Sequence, residues 1–541
     1  MEMALHPDIP TYSGGLGVLA GDTLRSCADL EVPIVGVTLL YRQGHFRQKL
    51  DPVRGQIEEP EIWPIERFLV PETPRVVVEL EGRPVLIRAW RFDLRGASGY
   101  SVPVFLLDTD LPENTEKDRA LTDRLYGGDS AYRLAQEAVL GIGGMRILRA
   151  LGYESIETLH LNEGHASLAA VELLRASHRE NGWEVQPVRE RCVFTTHTPV
   201  PAGHDQFEWP LVDRLLGELL PRNLFQQLGG VERLNMTLLA LNLSHRVNGV
   251  TRAHERVTDR LFPGHDIHHI TNGVHAVTWS SDSFRGLYDR HLPGWREDPA
   301  MLRKALSIPA EEVWGAHAAA KASLLRIVRE RTGVALNPDA LTVGFARRST
   351  AYKRPDLIFQ QLDTLRRVGS DKLQLVFSGK AHPADADGKA LIQKVLEMGR
   401  ALGREIPVVW LPDYGLELAR ILVAGADLWL NTPLRPLEAS GTSGMKAALN
   451  GIPSLSVLDG WWVEGCIEGI TGWAIGSPED PAQGEEDGSA LYRKLEETVI
   501  PLFYRERDRW ILLMRQVIAL NASYYNSHRM VQQYVTNAYL T

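Results

Sequence analysis

A chain of 541 residues exceeds the size at which one hydrophobic core keeps growing, so two domains or more are expected. Its hydrophobic share of 44% and charged share of 23% are those of a soluble globular protein, and a net charge of −9 disfavours nucleic acid and anionic membrane as partners. Cys27, Cys192 and Cys466 stand apart, without the spacing of a disulfide scaffold or a thiolate metal site, and no apolar run is long enough to span a bilayer. Met1-Glu2-Met3 opens neither a basic region nor an apolar signal core, so a cytoplasmic protein is expected.

The first motif is Gly14-Gly15-Leu16-Gly17-Val18-Leu19-Ala20-Gly21, which contains G-x-G-x-x-A. A dinucleotide fingerprint needs a strand immediately before it, whereas residues 7–13 are polar and proline-interrupted. A nucleotide site is therefore disfavoured, and a turn opening a helix at about 21–30 is the plain alternative. Residues 34–40, 104–107, 159–161 and 193–196 read as short apolar strands with helices between several of them. Residues 76–80 and 85–90, split by Glu81-Gly82-Arg83, read as an inserted β-hairpin. Leu161-Asn162-Glu163-Gly164-His165 and the stretch from Thr195 through His197 to His204 close two of those strands, where histidines can bond ligand hydroxyls. His160 and His204 read as structural. His265, His268, His269 and His275 lack metal-site spacing, and no metal is expected.

The chain crosses between halves near Thr271-Asn272-Gly273-Val274, giving domains at 1–275 and 276–541. Residues 341–346, 373–377, 408–411, 428–431 and 454–458 read as buried strands, with helices at about 355–367, up to about 402, and over 416–424. That alternation implies βαβ units and a parallel sheet. An acidic, glycine-containing loop is expected at 478–489. Arg347-Arg348-Ser349-Thr350-Ala351-Tyr352-Lys353-Arg354 puts four cations in a loop at a strand's carboxyl end, which is an anion site or a solvated basic loop. Trp461-Trp462, after Asp459-Gly460, could stack on sugar or fill core.

The most specific stretch is Glu438-Ala439-Ser440-Gly441-Thr442-Ser443-Gly444-Met445-Lys446, continuing to Asn450. Small residues lead into a helix whose unpaired N–H groups favour an anion. Gly441 and Gly444 allow close backbone approach, and Ser440, Thr442 and Ser443 add hydroxyl donors. Lys446 could pair with a phosphate or form a Schiff base with an aldehyde-bearing cofactor, in a spacing that is not a P-loop's. This segment resembles the pyridoxal-phosphate attachment site of the α-glucan (glycogen, starch, maltodextrin) phosphorylases, and the likeness extends to the glycine loop and residues 41–48.

The resemblance implies an α/β, GT-B-like fold, with two doubly wound Rossmann-like domains facing across a cleft and the last helix, after about Leu502, packing back on the first. It implies pyridoxal 5'-phosphate attached to Lys446 and held by Thr442, Ser443, Arg347, Gly14 and Gly15. Inorganic phosphate would bind Arg348 and Lys353. Glucosyl hydroxyls would meet Glu438, Ser440, Gly441, Asn272, Leu16 and His197, with Asp129 on a gating loop at 126–129. Ser349-Thr350-Ala351 stand where the long family members have Ile-His-Glu. The implied reaction is reversible phosphorolysis of terminal α-1,4-glucosidic bonds, releasing glucose 1-phosphate with retention. Its partners are an α-1,4-glucan and inorganic phosphate, and a homo-oligomer is compatible with the sequence. Family members carry a segment ahead of the point resembling Met1, so the first domain is expected to be N-terminally truncated.

Three other readings compete. A nucleotide-sugar glycosyltransferase of the same fold, such as a glycogen synthase, needs no lysine attachment motif. A non-catalytic glucan-binding remnant fits the abrupt start. An aminotransferase is disfavoured, because its lysine lacks these flanking residues.

Overall fold

The computed structural model describes residues 1–51, 54–178, 182–476 and 484–540. Contacts divide the chain into two compact units: Met1–Phe46, Pro60–Ile270 and Val531–Thr541 form one, Arg47–Glu59 and Thr271–Met530 the other. No helix among the described residues is long and apolar enough to cross a membrane.

In the first unit the described strands form a two-stranded antiparallel sheet, Gln206–Glu208 with Arg233–Asn235, and two four-stranded ones. One is parallel, in the order Ile267–His269, Arg246–Gly249, Cys192–Thr195, Leu159–Asn162. The other is mixed: Gly36–Leu39 runs parallel to Ser101–Asp108, and Arg83–Arg95 lies antiparallel to Ser101–Asp108 and Val70–Leu80. The hairpin turns on Glu81 and Gly82, both at positive φ (51° and 71°), the backbone that matches the twist of paired strands. A single apolar cluster draws on both sheets, including Leu39, Val85, Leu107, Leu161, Phe194 and Val247. The short strands 246–249 and 267–269 were not expected from the sequence.

The helix expected at about 21–30 begins six residues earlier and spans Gly15–Asp29. Its glycines serve packing. A Cβ at Gly21 would lie 2.2 Å from the Ala4 carbonyl oxygen, and one at Gly17 2.8 Å from Tyr12 Cβ. The first turns can lie against residues 2–12 only without side chains there.

The second unit is built on a six-stranded parallel sheet, in the order Val408–Leu411, Leu373–Ser378, Leu341–Ala346, Leu428–Asn431, Ser454–Val457, Gly472–Ile475. Every residue of Leu341–Ala346, Leu373–Ser378, Leu428–Asn431 and Ser454–Val457 is buried, as expected where helices cover both faces. Strand order reverses between Leu341–Ala346 and Leu428–Asn431. Loops leaving the carboxyl ends of such a pair are where open α/β sheets bind ligands.

The helix expected at about 355–367 is instead a 3-10 turn at Leu357–Phe359 followed by a helix at Leu362–Gly369. Arg354 before it adopts a left-handed backbone (φ 46°), which delays the helix. Of the loop expected at 478–489, residues 478–483 lie outside the described residues, and the rest opens the helix Gly484–Lys494.

Two buried polar devices hold this unit together. Asp427, with no exposed side-chain surface, bonds Lys321 Nζ at 2.6 Å, His317 Nε2 at 2.7 Å and the Thr342 N–H at 2.7 Å. The hairpin of Arg47–Asp51 and Gly55–Glu59 is fixed by two amides. Gln48 Nε2 donates to the Gly379 oxygen (2.9 Å) and its Oε1 accepts from the Asp413 N–H (2.9 Å). Gln56 donates to the Ala381 oxygen (2.8 Å) and accepts from its N–H (2.9 Å).

Candidate active site

The loops at the reversal of the six-stranded sheet carry the expected cations and carboxylate, and the fold brings three of these side chains into contact. Glu438 Oε2 lies 2.6 Å from Arg347 Nη2 and 2.5 Å from Lys353 Nζ, with all three side chains about nine-tenths buried. Burial alone would raise the Glu438 carboxyl, but Arg347 and Lys353 outweigh it and hold it down at about 2. Arg347 Nε and Nη1 are buried with no hydrogen-bond partner among the described residues. Arg348 is exposed beside them. The fourth cation does other work: Arg354 donates to the Thr432 and Pro433 oxygens and pairs with Asp487 at 2.6 Å, fastening the loop.

Lys446 sits on the short helix Ser443–Ala448, 6% exposed, its Nζ 4.1 Å from the centre of the Trp279 ring. Asn450 explains that placement. Its Nδ2 donates to the carbonyls of Trp279 (2.9 Å) and Lys446 (3.2 Å), and its Oδ1 accepts from the Ser281 N–H (2.8 Å). Gly444 serves packing more than phosphate approach, since a Cβ there would lie 2.7 Å from Trp461 Cζ2. Ser443 Oγ accepts from the Trp429 indole at 3.1 Å, while Thr442 makes no side-chain cap bond. Gly441 needs its positive φ of 82°. Ser440 Oγ and Asn272 Oδ1 are buried without a partner among the described residues. Trp461 and Trp462 are both core residues.

The remaining candidates belong to the first unit. His197 stands just past the strand Cys192–Thr195, its Nε2 2.6 Å from Asn162 Oδ1. Burial, with help from His254 and His160, pulls its pKa down to about 3, so the ring is neutral. Gly14 and Gly15 leave open space where a Cβ would be, and Leu16 lies in the first helical turn. The N–H groups of Ser13 (2.5 Å) and Gly14 (3.1 Å) are taken by the Glu2 carboxylate, where an external anion was expected. Asp129 is exposed and caps the helix Ser130–Ala138, accepting from the Tyr132 N–H at 2.9 Å. His160 bonds the Tyr539 hydroxyl (2.7 Å) and Thr195 (2.8 Å), and His204 bonds Thr237 (2.9 Å). His265, His268 and His269 each face a different partner: Asn242, Arg246 and Glu255.

Two acidic residues went unread in the sequence. Glu163, at φ 81°, accepts from the N–H groups of Gly164 (2.9 Å) and His197 (2.8 Å) and from the Thr198 hydroxyl (2.9 Å). A non-glycine residue held there is strained, and strain collects at working sites. Asp459 lies beneath Glu438. In each case the hint was an acidic residue before glycine at a strand's end.

The depressed Glu438 pKa has a measurable consequence. A carboxyl lowered from 4.5 to about 2 contributes stability that is full above about pH 4.5 and is lost as pH falls through 2. Glu438→Gln therefore melts below the unsubstituted protein at pH 7, and calorimetric scans at decreasing pH show the gap closing between about pH 4.5 and 2. A constant gap would refute the ion-pair account.

Residues 223–468 match the carbohydrate phosphorylase family. The sequence is 39% identical to a maltodextrin phosphorylase of Thermococcus litoralis, over all of this chain and 70% of that protein. It is 37% identical to a glycogen phosphorylase of Mycobacterium tuberculosis, again over all of this chain and 70% of the relative. A glycogen phosphorylase of Aquifex aeolicus is 33% identical over 99% of this chain and 85% of its own.

Proposed function

The chain belongs to the carbohydrate phosphorylase family, and on that premise we propose that it cleaves terminal α-1,4-glucosidic bonds of an α-glucan with inorganic phosphate, reversibly releasing glucose 1-phosphate. The observation that carries the reading is the buried Arg347–Glu438–Lys353 cluster at the strand-order reversal, with the Arg347 nitrogens Nε and Nη1 unbonded among the described residues. Guanidinium donors without partners fit the oxygens of a phosphate group.

The same residues fit pyridoxal phosphate. Lys446 would hold it covalently; Arg347, Thr442 and Ser443 would hold its phosphate. When bound, the cofactor supplies a second phosphate group able to exchange a proton with the substrate phosphate.

The chain's own side chains prepare the anion. Two unit negative charges 4 Å apart repel by about 4 kcal/mol at an effective dielectric of about 20. Arg347, Arg348 and Lys353 offset that repulsion before the reaction begins, which is electrostatic preorganisation. Glu438, Asn272, Ser440 and the Gly441 main chain orient the sugar hydroxyls. The neutral His197 ring spends its one N–H, on Nε2, on Asn162 Oδ1, which leaves Nδ1 to accept from a sugar hydroxyl without adding charge. Inorganic phosphate then gives its proton to the departing glycosidic oxygen as the C1–O bond breaks. A phosphate oxygen forms the new C1–O bond on the same face, so configuration is retained.

Arg348→Ala keeps the cofactor and raises the phosphate KM about tenfold or more, read from initial rates at varied phosphate. An unchanged phosphate dependence would remove Arg348 from the site. The reading as a whole is tested by substrate: glucose 1-phosphate forms from glucan and phosphate. Glucosyl transfer from UDP- or ADP-glucose, with none to phosphate, would overturn it.

A further inference from the structure

Asp459 has no part in the reaction described above, yet its placement ties it to the glucosyl site. It follows the strand Ser454–Val457 by two residues, and that strand pairs directly with Leu428–Asn431, which leads to Glu438. The residue is 5% exposed, and no ion pair among the described residues includes it. A carboxylate buried without a cation is unfavourable unless something else requires it.

What it touches is backbone. Asp459 Oδ2 accepts from the Glu438 N–H at 2.9 Å and Oδ1 from the Gly460 N–H at 2.9 Å. The Trp461 N–H donates to the Ser440 oxygen at 2.9 Å. Gly460 has φ 54°, and a Cβ on it would lie 2.4 Å from the Ser440 oxygen and 3.1 Å from the Glu438 oxygen. The turn 459–461 is thus stitched to both ends of the segment 438–440, the segment from which Glu438 reaches Arg347 and Lys353.

We propose that Asp459 is a positioning residue of the glucosyl site, acting through Glu438 by clamping the backbone that carries its carboxylate. The inference rests on the role given to Glu438 in the preceding section. Burial pushes the Asp459 carboxyl up to about 7, with Glu438 adding to the rise and the two N–H groups and Lys353 opposing it. A carboxyl so displaced is commoner at functional sites than elsewhere. Asparagine at 459 keeps one carbonyl acceptor and sets an amide N–H against the other donor, so it loosens the clamp without opening a cavity.

The test is a double-mutant cycle on the holoenzyme: the unsubstituted protein, Asp459→Asn, Glu438→Gln and the double variant, each assayed for kcat and KM towards glucan and for cofactor absorbance. Asp459→Asn is expected to retain absorbance and to lose about 30-fold in kcat/KM for glucan, the size of a misplaced hydrogen-bonding group. In the Glu438→Gln background the same change costs less than about threefold. Equal losses in both backgrounds, no loss in either, or loss of the cofactor with Asp459→Asn would each overturn the proposal. A Glu438→Gln variant with undiminished glucan turnover would overturn the role of Glu438 itself, a result distinguishable from a failure of the clamp alone.

Discussion

Lys446→Ala yields a folded protein without the near-ultraviolet absorbance of pyridoxal phosphate and without phosphorolysis, the rate falling by at least about 10³-fold. Folding survives because the helix Ser443–Ala448 is held by other residues. Met445 and Ala447 are buried, Asn450 still bridges to the Trp279 carbonyl, and alanine is the best helix former. What goes is the buried amine over the Trp279 ring. The two losses must come together, so absorbance and glucose 1-phosphate release are measured on one preparation, with melting temperature as the control. Activity in a cofactor-free Lys446→Ala protein would refute both the attachment and the family's chemistry for this chain.

Asp427→Ala is expected to destabilise the protein by about 3–5 kcal/mol, the range for removing one partner of a buried ion pair. Three donors converge on this carboxylate, and none has water to turn to: Lys321 and His317 are buried with it, and the Thr342 N–H opens a central strand. Burial raises the Asp427 carboxyl, but Lys321 and His317 outweigh it and leave it below the ordinary value, so the charge is present at neutral pH. Urea unfolding measures the loss. Lys321→Met in the same chain should recover part of it, because the stranded cation is then gone. A loss below about 1 kcal/mol would mean that the network contributes little.

The sheet of the second unit was legible because its strands are covered on both faces and so read as unbroken apolar runs; 341–346, 408–411 and 428–431 lie where expected. Gly472–Ile475 escaped notice because it starts on a glycine, at φ 146°, whose Cβ would lie 2.1 Å from the Ser454 oxygen. Arg246–Gly249 and Ile267–His269 carry too few apolar residues to show a period, and the hairpin of Arg47–Asp51 and Gly55–Glu59 buries glutamines that read as solvent-facing. Among the candidate residues, Arg347, Lys353 and Glu438 were visible because their chemistry is written in side-chain type. Asp459 and Glu163 were not, because each works by accepting N–H groups of residues brought near only by the fold. The same limit hid the diversion of Arg354 to Asp487.

The hairpin at 47–59 and the tail at 531–541 interleave the two units along the polypeptide, which passes from one to the other after Phe46, Glu59, Ile270 and Met530. No single cut can therefore separate them as autonomous cassettes. A fragment of 271–530 alone would leave the Gly379 and Ala381 backbone groups bare. During synthesis the amino-terminal unit must wait for almost the entire polypeptide to leave the ribosome before Tyr539 can reach His160. A chain that stops after Met530 would hold every residue of the second unit and still lack the strand of polypeptide, 531–541, that belongs to the first.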